Sequence, residues 1–152
     1  MTLCTAHTDD VFRQVLAHQP DVLAALSDAH EAAWLAVDND LLELCRLRIA
    51  SLLGFPPALG AGHGAPQLRA EQVAELSQWP TSAAFSTAQR ACLAYTEQYI
   101  VDVAAMPAEL VAAVLAELGA DGLLNFANAL LVVEQRMRLH LMWARLLPAV
   151  AA

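Results

Sequence analysis

The sequence predicts an all-α fold, a single-domain bundle of about seven to eight helices. Three observations lead there. Apolar residues recur at three- and four-residue spacings along most of the chain, no segment alternates apolar and polar residues as a half-buried strand does, and capping residues or helix breakers punctuate the periodic runs. A chain of 152 residues can bury roughly two thirds of its unfolded surface in one core, so no disulfide or metal staple is required. No linker, low-complexity tract or internal repeat divides it, and residues 1–152 read as one domain.

Asp9 to His18 forms a short first helix. Pro20, suited to a first helical position, opens a second that runs through Leu23, Leu26 and Trp34 to about Val37. A third spans Asp40 to Gly54: Asp40 caps it, Glu43 stands three residues on as in a capping box, and Gly54 suits the left-handed closing position. Between those caps only Glu43, Arg46 and Arg48 interrupt a nearly all-round apolar surface, which implies a helix packed on most sides. The following GFPPALGAGHGAPQ holds too many prolines and glycines for a long continuous helix.

Gln67 to Gln78 is helical and ends at Trp79-Pro80. Ser86 with Gln89 repeats the capping-box signal and starts a helix to about Val101, striped with Ala88, Ala91, Cys92, Tyr95 and Tyr99. Met106-Pro107 opens a helix to Leu118 that Gly119 closes, and a long last helix runs from Gly122 to Leu147, before Pro148.

The chain is 58% hydrophobic, above the ~45–50% of average soluble chains. That excess predicts a homo-oligomer. A net charge of −8, with eight Arg and no Lys, argues against nucleic-acid binding and against an anionic membrane surface. The start, MTLCTAHTDD, lacks the basic and apolar regions of a signal peptide, so a cytoplasmic location is expected. Near the C-terminus the longest uninterrupted apolar run, between Asn128 and Glu134, is far short of the ~20 residues of a membrane span. Cys4, Cys45 and Cys92 make no spacing motif and fit a reducing compartment.

The run ELCRLRIASLLG, then a turn and a helix bearing His63, then LRAEQVAEL, STAQRACLAYTEQYI, MPAELVAAVLAEL and a final helix with QRMRL, resembles the alkyl hydroperoxidase D-like, or carboxymuconolactone decarboxylase, family. The resemblance covers about residues 38–147 and rests on dispersed helix-length patterns. It implies that family's helical bundle and a trimer or hexamer. The peroxidase branch places a Glu on the first of these helices, then Cys-x-x-Cys after the glycine turn, then a His. Here the cysteine positions fall within Phe55 to Leu59, and neither is Cys.

Candidate catalytic residues are Glu43 and His63. A carboxylate on an otherwise apolar helix is costly unless paired or protonated, and imidazole titrates near neutral pH. Equally, Glu43 is explained as a capping residue or as the partner of Arg46 one turn on, and His63 as a solvated loop residue. Arg46 and Arg136 are candidates for holding a substrate carboxylate; the resemblance supplies Arg136, which can instead anchor an interface. Cys45 and Cys92 read as unreactive core residues, a redox pair between them being the alternative. On the last helix Glu134, Arg138 and Arg145 read as a solvated face, with Asn125, Arg136 and His140 on the other side. Trp34, Trp79, Trp143, Tyr95 and Tyr99 read as core or interface fillers. No metal-ligand or phosphate-loop spacing is present, and neither metal nor cofactor is expected.

Thiol peroxide reduction needs a low-pKa thiolate and a second, resolving thiol, so this chain is expected not to be a peroxidase by the family mechanism. The resemblance then implies a cofactor-independent, decarboxylase-like lyase acting on a small acidic molecule. In it Arg46 or Arg136 orients the carboxylate and His63 or Glu43 delivers the proton. A catalytically silent oligomeric binding protein on the same scaffold is the competing reading, and peroxide reduction through Cys45 and Cys92 a further one.

Overall fold

The computed structural model describes residues 8–55 and 67–150, and it is all-helical, with no strand among them. Six α-helices follow in order: α1 (Thr8–Val15), α2 (Pro20–Ala36), α3 (Asn39–Leu53), α4 (Ala70–Ala74), α5 (Thr87–Asp102) and α6 (Ala108–Val150). Short 3₁₀ turns at Leu76–Gln78 and Val103–Ala105 complete the set.

Three points account for the difference from the expected seven to eight. Within the expected 67–78 helix, α4 makes only five α-helical residues before the chain tightens into the Leu76–Gln78 turn. The helix expected to bear His63 falls in 56–66, outside the described residues. The two helices expected on either side of Gly119 are both present but abut without a loop, Gly119 alone leaving helical geometry at φ 72, ψ 178, and they are numbered together as α6. That backbone region is essentially restricted to glycine.

α3 starts two residues earlier than expected. Asp38, not Asp40, is its N-cap, with a carboxylate oxygen accepting from the Leu41 N–H at 2.9 Å. Asp40 instead accepts from the Gln67 N–H at 2.8 Å, tying the start of α3 to the segment that enters α4. Glu43 therefore lies beyond the capping position. Gly54 closes α3 with φ 66, and the Phe55 N–H donates to the Ala50 carbonyl at 2.8 Å. The Ser86–Gln89 capping box on α5 is formed in both directions.

One stripe of α6 supplies the core. Phe126, Ala129, Leu130, Val133 and Met137 are buried there and meet Leu42, Leu44 and Ile49 of α3 and Leu93 of α5. α2 and α1 lie against the same helix, α2 through Ala33 and Trp34, and α1 through Phe12, whose ring stands edge-on to Trp143 at 4.8 Å. Each fully buried Leu or Phe contributes about 1.5–3 kcal/mol. Gln72 holds the α4 region to α5, its side-chain amide donating to the Ala84 carbonyl and to Gln89 Oε1, both at 3.2 Å.

By length and composition α6 is also the one described helix that could cross a membrane. The uninterrupted-run criterion missed it because Glu117, Asp121 and two asparagines break the apolar sequence without ending the helix.

Two substitutions test this backbone. Asp38→Ala is expected to lose about 1 kcal/mol of unfolding free energy, as N-cap removals do, whereas Asp40→Ala leaves the α3 cap intact. Gly119→Ala is expected to lose about 1–3 kcal/mol by forcing a side chain into strained geometry. Urea unfolding followed by circular dichroism reads both.

Candidate functional site

Among the described residues, α3 carries the only sequence-predicted site residues that the structure brings together. Arg46 Nε donates to Glu43 Oε2 at 2.6 Å and Arg46 Nη2 donates to Glu43 Oε1 at 2.7 Å, a two-pronged pair across one helical turn. Both residues are buried, Glu43 at 5% and Arg46 at 2% exposure. Their neighbours along α3 are Leu42, Leu44 and Cys45, all fully buried. Two charges in such surroundings are tolerable only when paired, and three-residue spacing on a helix sets them side by side. The candidate base and the candidate carboxylate-binding cation are thus each other's partner. Acid–base work by Glu43, or anion binding by Arg46, requires this fork to open.

His63 lies outside the described residues. Arg136 sits on α6 with its guanidinium carbon 4.3 Å from the Phe12 ring centroid, a cation–π contact. It lines a groove of about 190 Å³ between α2 and α6, alongside Leu26, Leu131, Gln135 and Leu139. A second groove, of about 320 Å³, continues along the same two helices past Ala32, Ala36 and Asn125. A third, of about 260 Å³, lies between α3 and the α4 region and includes Arg48, Ser51 and Val73. Neither Glu43 nor Arg46 lines any of these three, so Arg136 faces a different space from the α3 pair.

Cys45 and Cys92 are free thiols with no exposed surface. Burial pushes the Cys45 thiol far above its ordinary value; Thr96 opposes the shift through a hydrogen bond, and the nearby Cys92 adds to it. Burial likewise pushes Cys92 up to about 12, with Glu117 adding repulsion. A thiol held protonated in the core is a poor nucleophile toward peroxide.

Three polar arrangements escaped the sequence reading. Glu134, expected on a solvated face, is buried: it accepts from Arg138 Nε at 2.6 Å, and only the arginine reaches solvent. Tyr99 lies close to the same carboxylate, and burial, reinforced by the Glu134 charge, raises its phenol to about 12. Four-residue spacing from Glu134 to Arg138 is identical whichever side of the helix faces inward, so only the Tyr95 and Tyr99 stripe on α5 could have hinted at it. Glu97 Oε1 accepts from Arg48 Nε at 2.5 Å and from Trp79 Nε1 at 2.7 Å, joining α5, α3 and the chain after α4. No local signal connects residues so distant in sequence. His140 is buried beside Phe55, their rings edge-on at 5.3 Å, with no hydrogen-bond partner at Nδ1. Burial, then the Arg136 charge, lowers its pKa and keeps the imidazole neutral.

Among the described residues no group of three His, Cys, Asp or Glu side chains is placed to hold a metal ion. Compared with known proteins, the chain matches no family model, no curated protein and no solved structure. The family resemblance therefore rests on the helix pattern alone.

Two outcomes follow from this geometry. Glu43→Gln, which leaves Arg46 buried without its carboxylate, is expected to lose about 3–5 kcal/mol, and adding Arg46→Met to recover most of that loss. The raised groups set an alkaline limit. Cys92 moves from 9.0 to about 12 and Tyr99 from 10.0 to about 12, so the folded state keeps protons that the unfolded chain releases. Their contribution is complete below about pH 9 and is lost as pH rises toward 12; Cys92→Ala should flatten that decline in denaturation midpoints measured between pH 8 and 12.

Proposed function

We propose that this protein works by self-assembly and binding rather than by thiol redox or acid–base catalysis. The closed Glu43–Arg46 fork carries the reading, because it uses up both the base and the anion-binding cation that a lyase of the decarboxylase kind would require. Orienting a substrate carboxylate on Arg46 would strip Glu43 of its partner inside an apolar helix packing, a loss of several kcal/mol before any chemistry begins. The buried, protonated state of Cys45 and Cys92 supports the same conclusion for peroxide reduction.

Assembly is supported by what the fold leaves uncovered. Leu35, Leu124, Leu131 and Leu146 remain exposed after the core has closed, with Leu124 at 62%. This is where the apolar excess of the composition goes. A homo-oligomer, with the helical scaffold of the resembled family but without its sulfur chemistry, accounts for both features.

Hydroperoxide consumption by the wild type is expected to equal that of a Cys45→Ala/Cys92→Ala variant, and sedimentation velocity on the full chain at micromolar concentration to show a species larger than a monomer. Peroxide turnover that falls on removing the two cysteines contradicts the proposal, as does a strictly monomeric wild type.

A further inference from the structure

The two grooves along α2 and α6 form one continuous face, since both include Ala29 and Val132. Its half toward the C-terminal end of α2 is lined by Ala32, Ala33 and Ala36 of α2 and by Asn125, Asn128 and Ala129 of α6, with no charged side chain, while Arg136 lines the other half. On a chain of net charge −8 an uncharged tract is where a second copy can approach without opposing carboxylates. The small α2 side chains make a hollow. Beside it, α6 raises Leu124 and Leu131, the latter 47% exposed, four and three residues from Asn128 on one outward stripe. Hollow and projection on the same face are what a two-fold, self-complementary contact requires.

Charge selects the direction of that two-fold axis. α2 and α6 run antiparallel, because Leu26 shares its groove with Leu139 while Ala36 shares its own with Asn125. Exposed Asp21 and Asp28, toward the N-terminal end of α2, therefore lie level with exposed Arg138 and Arg145 of α6. An axis parallel to the helices lays α2 of one copy over α6 of the other at the same level and brings acid against base. An axis across them would instead lay α2 antiparallel on α2, setting Asp28 of one copy level with Asp28 and Glu31 of the other, acid near acid, and leaving Asp21 with no arginine opposite.

The area is sufficient. α2 has 17 residues and is about 25 Å long at ~1.5 Å per residue, and two adjacent helices are roughly 20 Å wide. The flat footprint is about 500 Å² per copy, or about 1,000 Å² in total, the threshold for a specific interface.

We infer that the α2–α6 face seats a second copy of this chain, Leu131 of each copy entering the alanine-walled hollow of the other about a two-fold axis parallel to the helices. The inference rests on the assembly reading above and adds its location and geometry. A lipid bilayer fits this face less well: the long apolar helix is broken at Gly119, with Glu117 and Asp121 beside the break, and a spanning segment must satisfy its backbone internally.

The test uses the full chain in sedimentation equilibrium, with circular dichroism to verify folding. Leu131→Glu, which places a carboxylate in the hollow, and Ala32→Trp, which fills it, are each expected to weaken self-association at least a hundredfold, whereas Val101→Glu on the exposed side of α5 leaves it unchanged. Asp21→Arg is expected to weaken it several-fold at low salt, and adding Arg145→Glu to restore it. A wild type that is monomeric overturns the assembly reading itself. An oligomer insensitive to Leu131→Glu and Ala32→Trp leaves that reading standing and overturns this face; an oligomer sensitive to both but strengthened by Asp21→Arg overturns the axis. Co-sedimentation of the monomer with phosphatidylcholine vesicles, abolished by Leu131→Glu, overturns the choice of partner.

Discussion

The constraint on which the structure depends is that one helix must complete the burial of four others. Phe126, Leu130, Val133 and Met137 of α6 face inward together, and α1, α2, α3 and α5 each cover part of that helix. Sheltering so many partners requires a long helix, and the break at Gly119 lets the run turn while staying helical on both sides. Once its inner stripe is consumed, the outer stripe at Leu124, Leu131 and Met142 remains exposed. The core and the unpartnered face are two consequences of the same helix.

Inside that core every described carboxylate–cation pair is local to one helix or bridges two packed helices. Glu43 and Arg46 sit one turn apart, as do Glu134 and Arg138, while Glu97 reaches Arg48 and Trp79 across the α3–α5 packing. A low-dielectric interior makes an isolated charge so costly that oppositely charged side chains bind each other there. The thiols show the complementary response: with no cation beside them they remain protonated. The described groups that look reactive in the sequence are here held by pairing or by desolvation.

That surface is unusual in the way its charge is distributed. An acidic chain keeps an uncharged hollow between α2 and α6, with exposed acids on one helix and exposed arginines on the other at the same level. In the proposed assembly, repulsion elsewhere and neutrality here would restrict where a copy docks, and specificity would arise from the contrast between the face and its surroundings.

What the sequence determined by itself is what the backbone decides locally. The closing of α3 at Gly54, the Ser86–Gln89 box, the break at Gly119 and the all-helical class each depend on a few adjacent residues or on a regular period, and each stands where the sequence places it. Tertiary structure decided between local alternatives of nearly equal merit. Asp38 and Asp40 are both able caps, and Asp38 caps while Asp40 holds Gln67. Glu43 could serve a cap or Arg46, and it serves Arg46 because α3 begins earlier than its acidic residues suggest. Glu134 pairs with Arg138 equally well on either face, and only contact with Tyr99 turns it inward. A helix period states which residues share a side; which side becomes the interior is settled by neighbours distant in the chain, whose contacts leave no mark in a short stretch of sequence.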